Sequence, residues 1–181
     1  MEIEKFNFTV PLHKACANDD LRPAFSHVYF IDGYAYASDA HILVEHSIDD
    51  YCFVIGKEFL NGHSLHRDSF QNIMKFDKAE ANEEGVECWD EGGKKAFFPY
   101  SQSDWDASKF KQIFKQVSPE PTQMFGIEPR YFAIADKVLP HGTSPIKVTL
   151  SGMDKAMLLT CADYPNQRVL IMPSMIDQTI F

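Results

Sequence analysis

The chain has 181 residues, of which 45% are hydrophobic, 13% aromatic and 24% charged. A chain of this length and composition can bury an apolar core, which excludes an intrinsically disordered protein. The formal net charge of −9 argues against a general polyanion binder, which would carry a basic surplus. Binding to nucleic acid therefore requires the positive charges to gather on one face.

The sequence gives no sign of secretion, membrane insertion or metal binding. Its first residues, Met1–Lys5, lack the apolar run of a signal peptide, and no window approaches the ~18 apolar residues that a membrane span needs. The cysteines have neither a CxxC pair nor a zinc-like spacing with histidine, which indicates free thiols. They are Cys16, Cys52, Cys88 and Cys161. We therefore expect a cytoplasmic protein without a metal or other cofactor.

One pattern, a short strand followed by a helix-length segment and alternating strands, occurs three times. In the first unit, residues 1–50, Phe6–Val10 is the leading strand and Pro11–Asn18 the helical segment. The strands that follow are predicted at His27–Asp32, Tyr34–Ser38 and Ile42–His46. The dipeptide Asp32-Gly33 is typical of a tight hairpin turn between the first two.

The second unit, residues 51–118, begins with a predicted strand at Cys52–Ile55 and a helix from Gly56 to Met74. Its further strands are predicted near Lys75–Ala79, Gly85–Trp89 and Ala96–Tyr100. Residues 104–121 are basic and then proline-bearing, which is typical of a connector. In the third unit, residues 119–181, the predicted elements are a strand at Met124–Ile127, a helix at Pro129–Leu139, and strands at Ile146–Leu150, Met157–Cys161 and Val169–Met172.

A supersecondary unit that repeats in this way indicates internal symmetry. Each predicted helix carries a single apolar stripe, so the helices should lie on one face of antiparallel sheets. The predicted fold class is α+β, built from repeated βαβββ units.

The charges are unevenly distributed along the chain. Between Asp77 and Glu91 there are seven acidic residues and one basic residue, Lys78. Basic residues lie instead on the predicted helices and the connector, where they would contact phosphates without reading bases. The predicted DNA-facing set is Lys57, Arg67, Lys75, Lys109, Lys111, Arg130 and Lys137. The alternative is that these are ordinary solvated helix faces.

Two motifs resemble a known family. In the first, Arg22-Pro23 leads into a strand, and a later strand ends in Ser38-Asp39-Ala40-His41-Ile42-Leu43. This is similar to the middle domain of the bacterial sliding clamp, the beta subunit of DNA polymerase III, where the second segment reads Thr-Asp-Gly-His-Arg-Leu. The chain lacks the Gly and the Arg of that turn.

The second motif is similar to the last domain of the same family. Phe125–Phe132 resembles its strand followed by Asn-Pro-Arg/Lys-Tyr, and Arg168–Ile176 resembles its closing strand, which ends Met-Pro-Met-Arg-Leu. The resemblance implies a DNA-clamp-like fold with a complete domain at residues 1–118, made of units 1–50 and 51–118, and a half domain at residues 119–181.

In the family, a pocket between the middle and last domains accepts short peptides from polymerases and repair proteins. Carried over by position, one wall would be formed by Phe25, Ser38, Ala40, His41, Ile42 and Leu43. The other wall would be formed by Leu170, Met172, Pro173, Ser174 and Met175. Such an apolar groove containing methionine suits adaptable peptide binding. The alternative is that these residues only close a core.

The resemblance implies a scaffold that is a homo-oligomer, associates weakly with duplex DNA and binds peptides of DNA polymerase or other clamp partners. Three half-domain units per chain would tile a twelve-unit ring with four chains. The terminal residues 178–181, Gln-Thr-Ile-Phe, resemble the family's client peptides and could dock in a groove. The rival reading is a clamp-derived adaptor or regulator that binds peptides but not DNA.

An enzymatic reading casts Ser38 as nucleophile, His41 as base and Asp39 as orienting acid. Neighbouring residues of a strand or tight turn point apart, whereas catalytic triads are assembled from distant segments. No nucleophile elbow, P-loop, HExxH or dinucleotide fingerprint is present. We therefore predict that the chain is not an enzyme; a hydrolase would require a concave site around His41.

Overall fold

The computed structural model describes residues 6–18, 21–101, 106–121, 125–139 and 144–174. Within these ranges the strands are β1 His27–Ile31, β2 Tyr34–Ser38, β3 Ile42–Ser47, β4 Ser64–His66, β5 Lys78–Ala81, β6 Gly85–Trp89, β7 Lys95–Pro99, β8 Ile146–Thr149, β9 Met157–Cys161 and β10 Tyr164–Ile171. The α-helices are α1 Ile48–Tyr51, α2 Arg67–Ile73, α3 Ser108–Lys115 and α4 Pro129–Val138. Short 3-10 turns lie at Leu12–Ala15, Pro23–Phe25 and Lys57–Leu60.

Seven strands form one antiparallel sheet in the order β4-β1-β2-β3-β10-β9-β8. The sheet is continuous because β3 of the first unit pairs with β10 of the third unit, although more than a hundred residues separate them. The facing residues are Ile42 and Ile171, Leu43 and Leu170, Val44 and Val169, Glu45 and Arg168, and His46 and Gln167. We call this β3–β10 pairing the joint.

The remaining strands form a three-stranded antiparallel sheet in the order β5-β6-β7. Isolated parallel bridges tie this sheet to the first unit at Phe6 and to the start of the second unit at Ile55. Its inward side is apolar, with Ala79, Val86 and Cys88 almost fully buried. The acidic residues between Asp77 and Glu91 therefore lie on its outward side and in its hairpin turns.

Period-two alternation gives the seven-stranded sheet two apolar sides. On one side, which we call the helical face, α2, α4 and the Leu12–Ala15 turn pack on the sheet and form the main core. Phe70 of α2 is fully buried there, with its ring centroid 4.5 Å from that of Phe8. Tyr131, Ala135 and Val138 provide the buried stripe of α4.

The opposite side, which we call the α3 face, is covered by α3. A second core forms between this helix and the sheet side chains that point away from the helical face. The expected placement of all helices on one face therefore holds for α2 and α4 but not for α3. The segment predicted as a plain connector contains this helix.

The α+β fold class with antiparallel sheets is confirmed, and most strands lie where they are predicted. The predicted helix from Gly56 to Met74 is wrong. It breaks at Gly62, whose φ is +83°, and β4 leaves the helical path to pair with β1. The break divides it into the Lys57–Leu60 turn, β4 and α2.

Three predicted leading strands are not strands of either sheet. Phe6–Val10 and Cys52–Ile55 make only isolated bridges. Residues 125–127 have no strand pairing, and Met124 lies outside the described residues. The predicted helix at Pro11–Asn18 is the short 3-10 turn Leu12–Ala15. These leading segments bury side chains without joining a ladder.

The four cysteines form no disulfide with one another, and all four are buried. In the described ranges, no helix is long and apolar enough to cross a membrane. No group of three or more His, Cys, Asp or Glu side chains is arranged to hold a metal ion in that same part of the chain.

Candidate functional site

The joint brings together the two walls that the sequence resemblance implies. Leu43 lies on β3 and Leu170 lies directly opposite it on β10, and both are buried on the α3 face. Beyond the last strand pair, the backbone N–H of Met172 donates to the carbonyl oxygen of His41 at 2.7 Å. The two wall segments therefore run side by side through backbone hydrogen bonds.

The loop that precedes β3 is fixed by its own polar side chains. The Asp39 carboxylate accepts hydrogen bonds from the backbone N–H groups of His41 at 2.9 Å and Ile42 at 3.0 Å. The Ser38 hydroxyl accepts from the N–H of Ala40 at 3.0 Å. Ala40 has a φ of +79°, so an alanine holds the left-handed position where the family turn has glycine. Ser38 and Asp39 thus have structural partners in the turn.

Helix α3 packs across the joint, on the side of the sheet that we call the α3 face. It begins where the Asp106 carboxylate accepts from the backbone N–H of Ser108 at 3.1 Å and from its hydroxyl at 2.6 Å. Phe110 and Phe114 are its buried residues and lie one helical turn apart. The amphipathic sequence SKFKQIFK therefore presents two aromatic rings to the sheet.

The Phe110 ring lies within a cluster of aromatic side chains from the first unit. Its centroid is 6.0 Å from those of Tyr29 and Tyr36 and 6.4 Å from that of Phe25. Leu43 and Leu170 belong to the same cluster. The ring consequently packs on the apolar surface that the two predicted walls form together.

A charged network lies beside this cluster on the α3 face. Glu45 is 4% exposed and faces Arg168 across the joint, where the Arg168 Nε donates to its carboxylate at 2.6 Å. The Tyr36 hydroxyl donates to the other carboxylate oxygen at 2.8 Å. The Arg168 guanidinium also lies over the Phe114 ring, 4.6 Å from its centroid. The network therefore links both strands of the joint to α3.

An open pocket of about 410 Å³ lies where α3 ends. Ile113 and Val117 form one wall, and Ala156 and Met172 of the third unit contribute to the other. Ile113 is 40% exposed and Met172 is 42% exposed, so apolar surface faces solvent on both sides. Polar groups at its rim come from Gln116, Ser151, Asp154 and Lys155. Such a pocket can accept an apolar side chain of a ligand.

A larger concavity of about 560 Å³ lies on the three-stranded sheet. It is lined in part by Glu80 and Glu87, which face each other on β5 and β6, and by Trp89 and Phe97. None of the described wall residues lines this concavity. The joint, where both predicted walls meet, is the better candidate.

The predicted wall residues do not all face the same surface. Phe25, Leu43 and Leu170 contact the α3 face cluster, and Met172 lines the open pocket. Ile42 is buried in the main core on the helical face, so its assignment to the groove needs correction. The correction follows from strand alternation, since Ile42 and Leu43 point to opposite sides of the sheet.

The other predicted wall residues lie at the ends of the joint. The exposed His41 ring stacks on Tyr131 of α4, with centroids 5.8 Å apart. Pro173 is half-buried, and the backbone N–H of the exposed Ser174 donates to the Gly126 carbonyl at 2.9 Å. Met175 and the predicted docking tail, residues 178–181, lie outside the described residues.

The predicted DNA-facing residues are split between surfaces. Arg67, Arg130 and Lys137 lie on α2 and α4 and Lys75 follows α2, whereas Lys109 and Lys111 lie on α3, across the sheet. The grouping of all seven on one surface therefore needs correction, because α3 covers the opposite face.

Several of these cations have acidic neighbours. Ion pairs at 2.7–3.0 Å join Lys57 to Asp49, Arg67 to Asp68, Lys111 to Asp32 and Arg130 to Glu128. Each pair is partly exposed, so it opens at little cost when a phosphate competes.

The sequence prediction missed the contribution of α3. Ile113 and Val117 line the pocket, and Phe110 and Phe114 cover the predicted walls. The signal was present as two phenylalanines at a spacing of four residues within a basic segment, a pattern typical of a short helix with one apolar stripe.

No family model matches the chain, and no curated protein matches it in sequence. Its fold does match solved structures. The sliding clamp of Bartonella birtlesii bound to griselimycin matches with a TM-score of 0.61 at 12% identity, covering 92% of this chain and 64% of that one. The Bacillus subtilis sliding clamp matches with a TM-score of 0.61 at 13% identity, covering 92% and 62%. The beta subunit of Streptococcus pyogenes DNA polymerase matches with 0.59 at 11%, covering 97% and 68%.

The chain therefore has the fold of the bacterial sliding clamp, the beta subunit of DNA polymerase III. The resemblance that the two motifs implied is confirmed at the level of the fold. The chain spans somewhat less than two thirds of the length of the Bartonella and Bacillus clamps. At identities this low the likeness establishes the fold alone.

The buried network predicts how stability depends on alkaline pH. Burial, and then the neighbouring Glu45 carboxylate, raises the pKa of Tyr36 above its ordinary value. Because the folded chain holds this proton more tightly than the unfolded chain, its contribution to stability is complete below pH ~10 and decreases above it, by at most about 1.4 kcal/mol per pH unit. In the Tyr36→Phe variant, the free energy of unfolding should therefore decrease less steeply above pH ~10, by at most about 1.4 kcal/mol per pH unit. Urea unfolding between pH 8 and 11.5 measures it, and identical slopes would contradict the assignment.

Proposed function

We propose that the chain is a clamp-like scaffold that holds a short partner peptide at the joint between its first and third units. The observation that carries this proposal is the pairing of Leu43 with Leu170, which aligns the two wall segments, next to the open pocket at Met172. The peptide's apolar side chains would enter the pocket and approach the cluster beneath α3. Backbone groups and the rim residues Gln116 and Lys155 would supply its polar contacts.

The chemistry of this site suits a peptide with apolar side chains. Methionine adapts its shape to different side chains, and Met172 lies at the pocket with 42% of its surface exposed. Ile113 of α3 and Val117, just beyond the helix, add apolar area opposite it. A DNA polymerase or another protein with a clamp-binding peptide is the partner class that this surface fits.

Association with duplex DNA is the second part of the proposal. The cations that remain on the helical face are Arg67, Lys75, Arg130 and Lys137, and they would contact phosphates without reading bases. Exposed acidic residues lie on the same helices, among them Asp68 and Asp136. Binding should therefore be weak and strongly dependent on salt. A homo-oligomer, with four chains to a ring, would place several such surfaces around one duplex.

A second candidate is a clamp-derived adaptor that binds the peptide but not DNA. The ion pairs of Lys57, Arg67, Lys111 and Arg130 favour it, because neutralised cations attract phosphates less. The net charge of −9 favours it as well. In either case the scaffold acts by binding, and the absence of enzymatic activity stays a prediction.

Substitution of Met172 tests the peptide site. Met172→Asp places a carboxylate in the pocket and removes apolar contact area, so binding of a fluorescent peptide with the sequence of residues 174–181 should weaken about tenfold or more. Fluorescence anisotropy measures the dissociation constant. Met153→Asp is the matched control. Met153 is 43% exposed and Met172 is 42% exposed, but Met153 does not line the pocket.

Equal weakening by both variants, or by neither, would show that the peptide does not bind at the joint. Thermal unfolding of both variants establishes that they are folded at the temperature of the titration. Both substituted side chains are exposed, so neither change empties a core.

Charge reversal on the helical face tests DNA association. Lys137→Glu on α4 should weaken binding of a 40-base-pair duplex at about 50 mM salt severalfold and reduce the salt slope by about 0.9 for each lost phosphate contact. Lys147→Glu is the control, since Lys147 is exposed and its strand neighbours place it on the α3 face. Binding that is equally weakened by both variants would exclude the helical face as the DNA surface. A wild-type chain that does not bind duplex DNA at this salt would favour the adaptor.

A further inference from the structure

We propose that α3 is a built-in cover that occupies much of the peptide groove and must be displaced before a partner peptide binds fully. This inference rests on the proposed function, since it assigns the regulation of the same site. The sequence resemblance assigns the groove walls, whereas the cover follows from where the structure places α3.

The first observation is that α3 occupies the groove as a ligand would. Phe110 contacts Phe25, a predicted wall residue, and shares its cluster with Leu43 and Leu170. Phe114 is buried one turn further along the helix. Two aromatic anchors at this spacing on an amphipathic helix are how a helical peptide occupies an apolar groove. Leu43 and Leu170 are 6% and 2% exposed beneath it.

The second observation is that the two phenylalanines, with the Arg168 guanidinium over Phe114, are the main contacts that hold α3 on the sheet. The other side chains of α3 are not buried, and its ion pair from Lys111 to Asp32 joins side chains that are 41% and 64% exposed. Such exposed pairs contribute little. An isolated helix of eight residues is not stable in water, so α3 loses its helical structure when it leaves the sheet. Displacement therefore couples undocking to unwinding.

The third observation connects the cover to the open pocket. Ile113, Gln116 and Val117, at the end of α3 and just beyond it, form one wall of the pocket next to Met172. A short ligand side chain enters this pocket without moving α3. A longer peptide reaches Leu43 and Leu170 only where Phe110 and Phe114 now lie. The apparent affinity consequently equals the affinity of the open state multiplied by the fraction of molecules in which α3 is open.

Substitutions at Gln112 test the cover without changing any contact with the sheet, because Gln112 is exposed on α3. Gln112→Gly lowers helix propensity and Gln112→Ala raises it. The glycine variant should bind the peptide of residues 174–181 about fourfold more tightly than the alanine variant, the factor that corresponds to the glycine–alanine difference in helix propensity. Fluorescence anisotropy measures both constants.

A spin label reports the displacement directly. All four native cysteines are buried, so a label attaches to an added exposed cysteine, Lys109→Cys on α3 or Lys137→Cys on α4. Saturating peptide should increase label mobility at position 109 and leave it unchanged at position 137. Electron paramagnetic resonance line shapes measure both.

The outcomes separate the cover from the site itself. Peptide binding that is weakened by Met172→Asp, with equal affinities of the two Gln112 variants and no mobility change at position 109, overturns the cover and leaves the proposed function standing. No peptide binding by the wild type or by either Gln112 variant overturns the proposed function and the cover together. Tighter binding by Gln112→Gly with increased mobility at position 109 supports both.

Discussion

The pairing of β3 with β10 holds the seven-stranded sheet together across the chain. Through five facing residue pairs it fuses strands of the first and third units into one sheet, so a single layer supports both cores. Each pair of side chains packs on one side of the sheet. Val44 and Val169 complete the main core, whereas Glu45 and Arg168 form the charged network on the other side. Without this pairing the two walls of the candidate site would belong to separate bodies.

The same pairing explains why the site contains a helix from the connector. Continuous sheet surface on both sides must be covered, and α2 and α4 cover only the helical face. The aromatic residues Tyr29 and Tyr36, with Leu43 and Leu170, would otherwise form an exposed apolar surface. The two phenylalanines of α3 cover this surface. In the cover proposal, this same segment is the one that a partner peptide displaces.

Much of the fold was predictable because alternation and turn chemistry are local. The Asp32-Gly33 turn takes positive φ angles of 50° and 81°, and the strands around it lie close to their predicted positions. The break at Gly62 was missed because the apolar pattern from Gly56 to Met74 also fits a helix. The assignment of Leu43 and Leu170 to the two walls of one groove followed only from the family resemblance, since no local pattern encodes contacts between distant segments. The side of the sheet to which Ile42 points and the position of α3 were missed, because both depend on the topology of the sheet.

If a partner peptide binds at the joint, photo-cross-linking will locate it there. The probe is the peptide of residues 174–181 with a benzophenone in place of its terminal phenylalanine, and mass spectrometry identifies the products. Attachment is expected on both sides of the pocket, at Met172 or Ala156 in the third unit and at Ile113 or Val117 next to it. Attachment confined to the three-stranded sheet, around Trp89 and Phe97, would contradict binding at the joint.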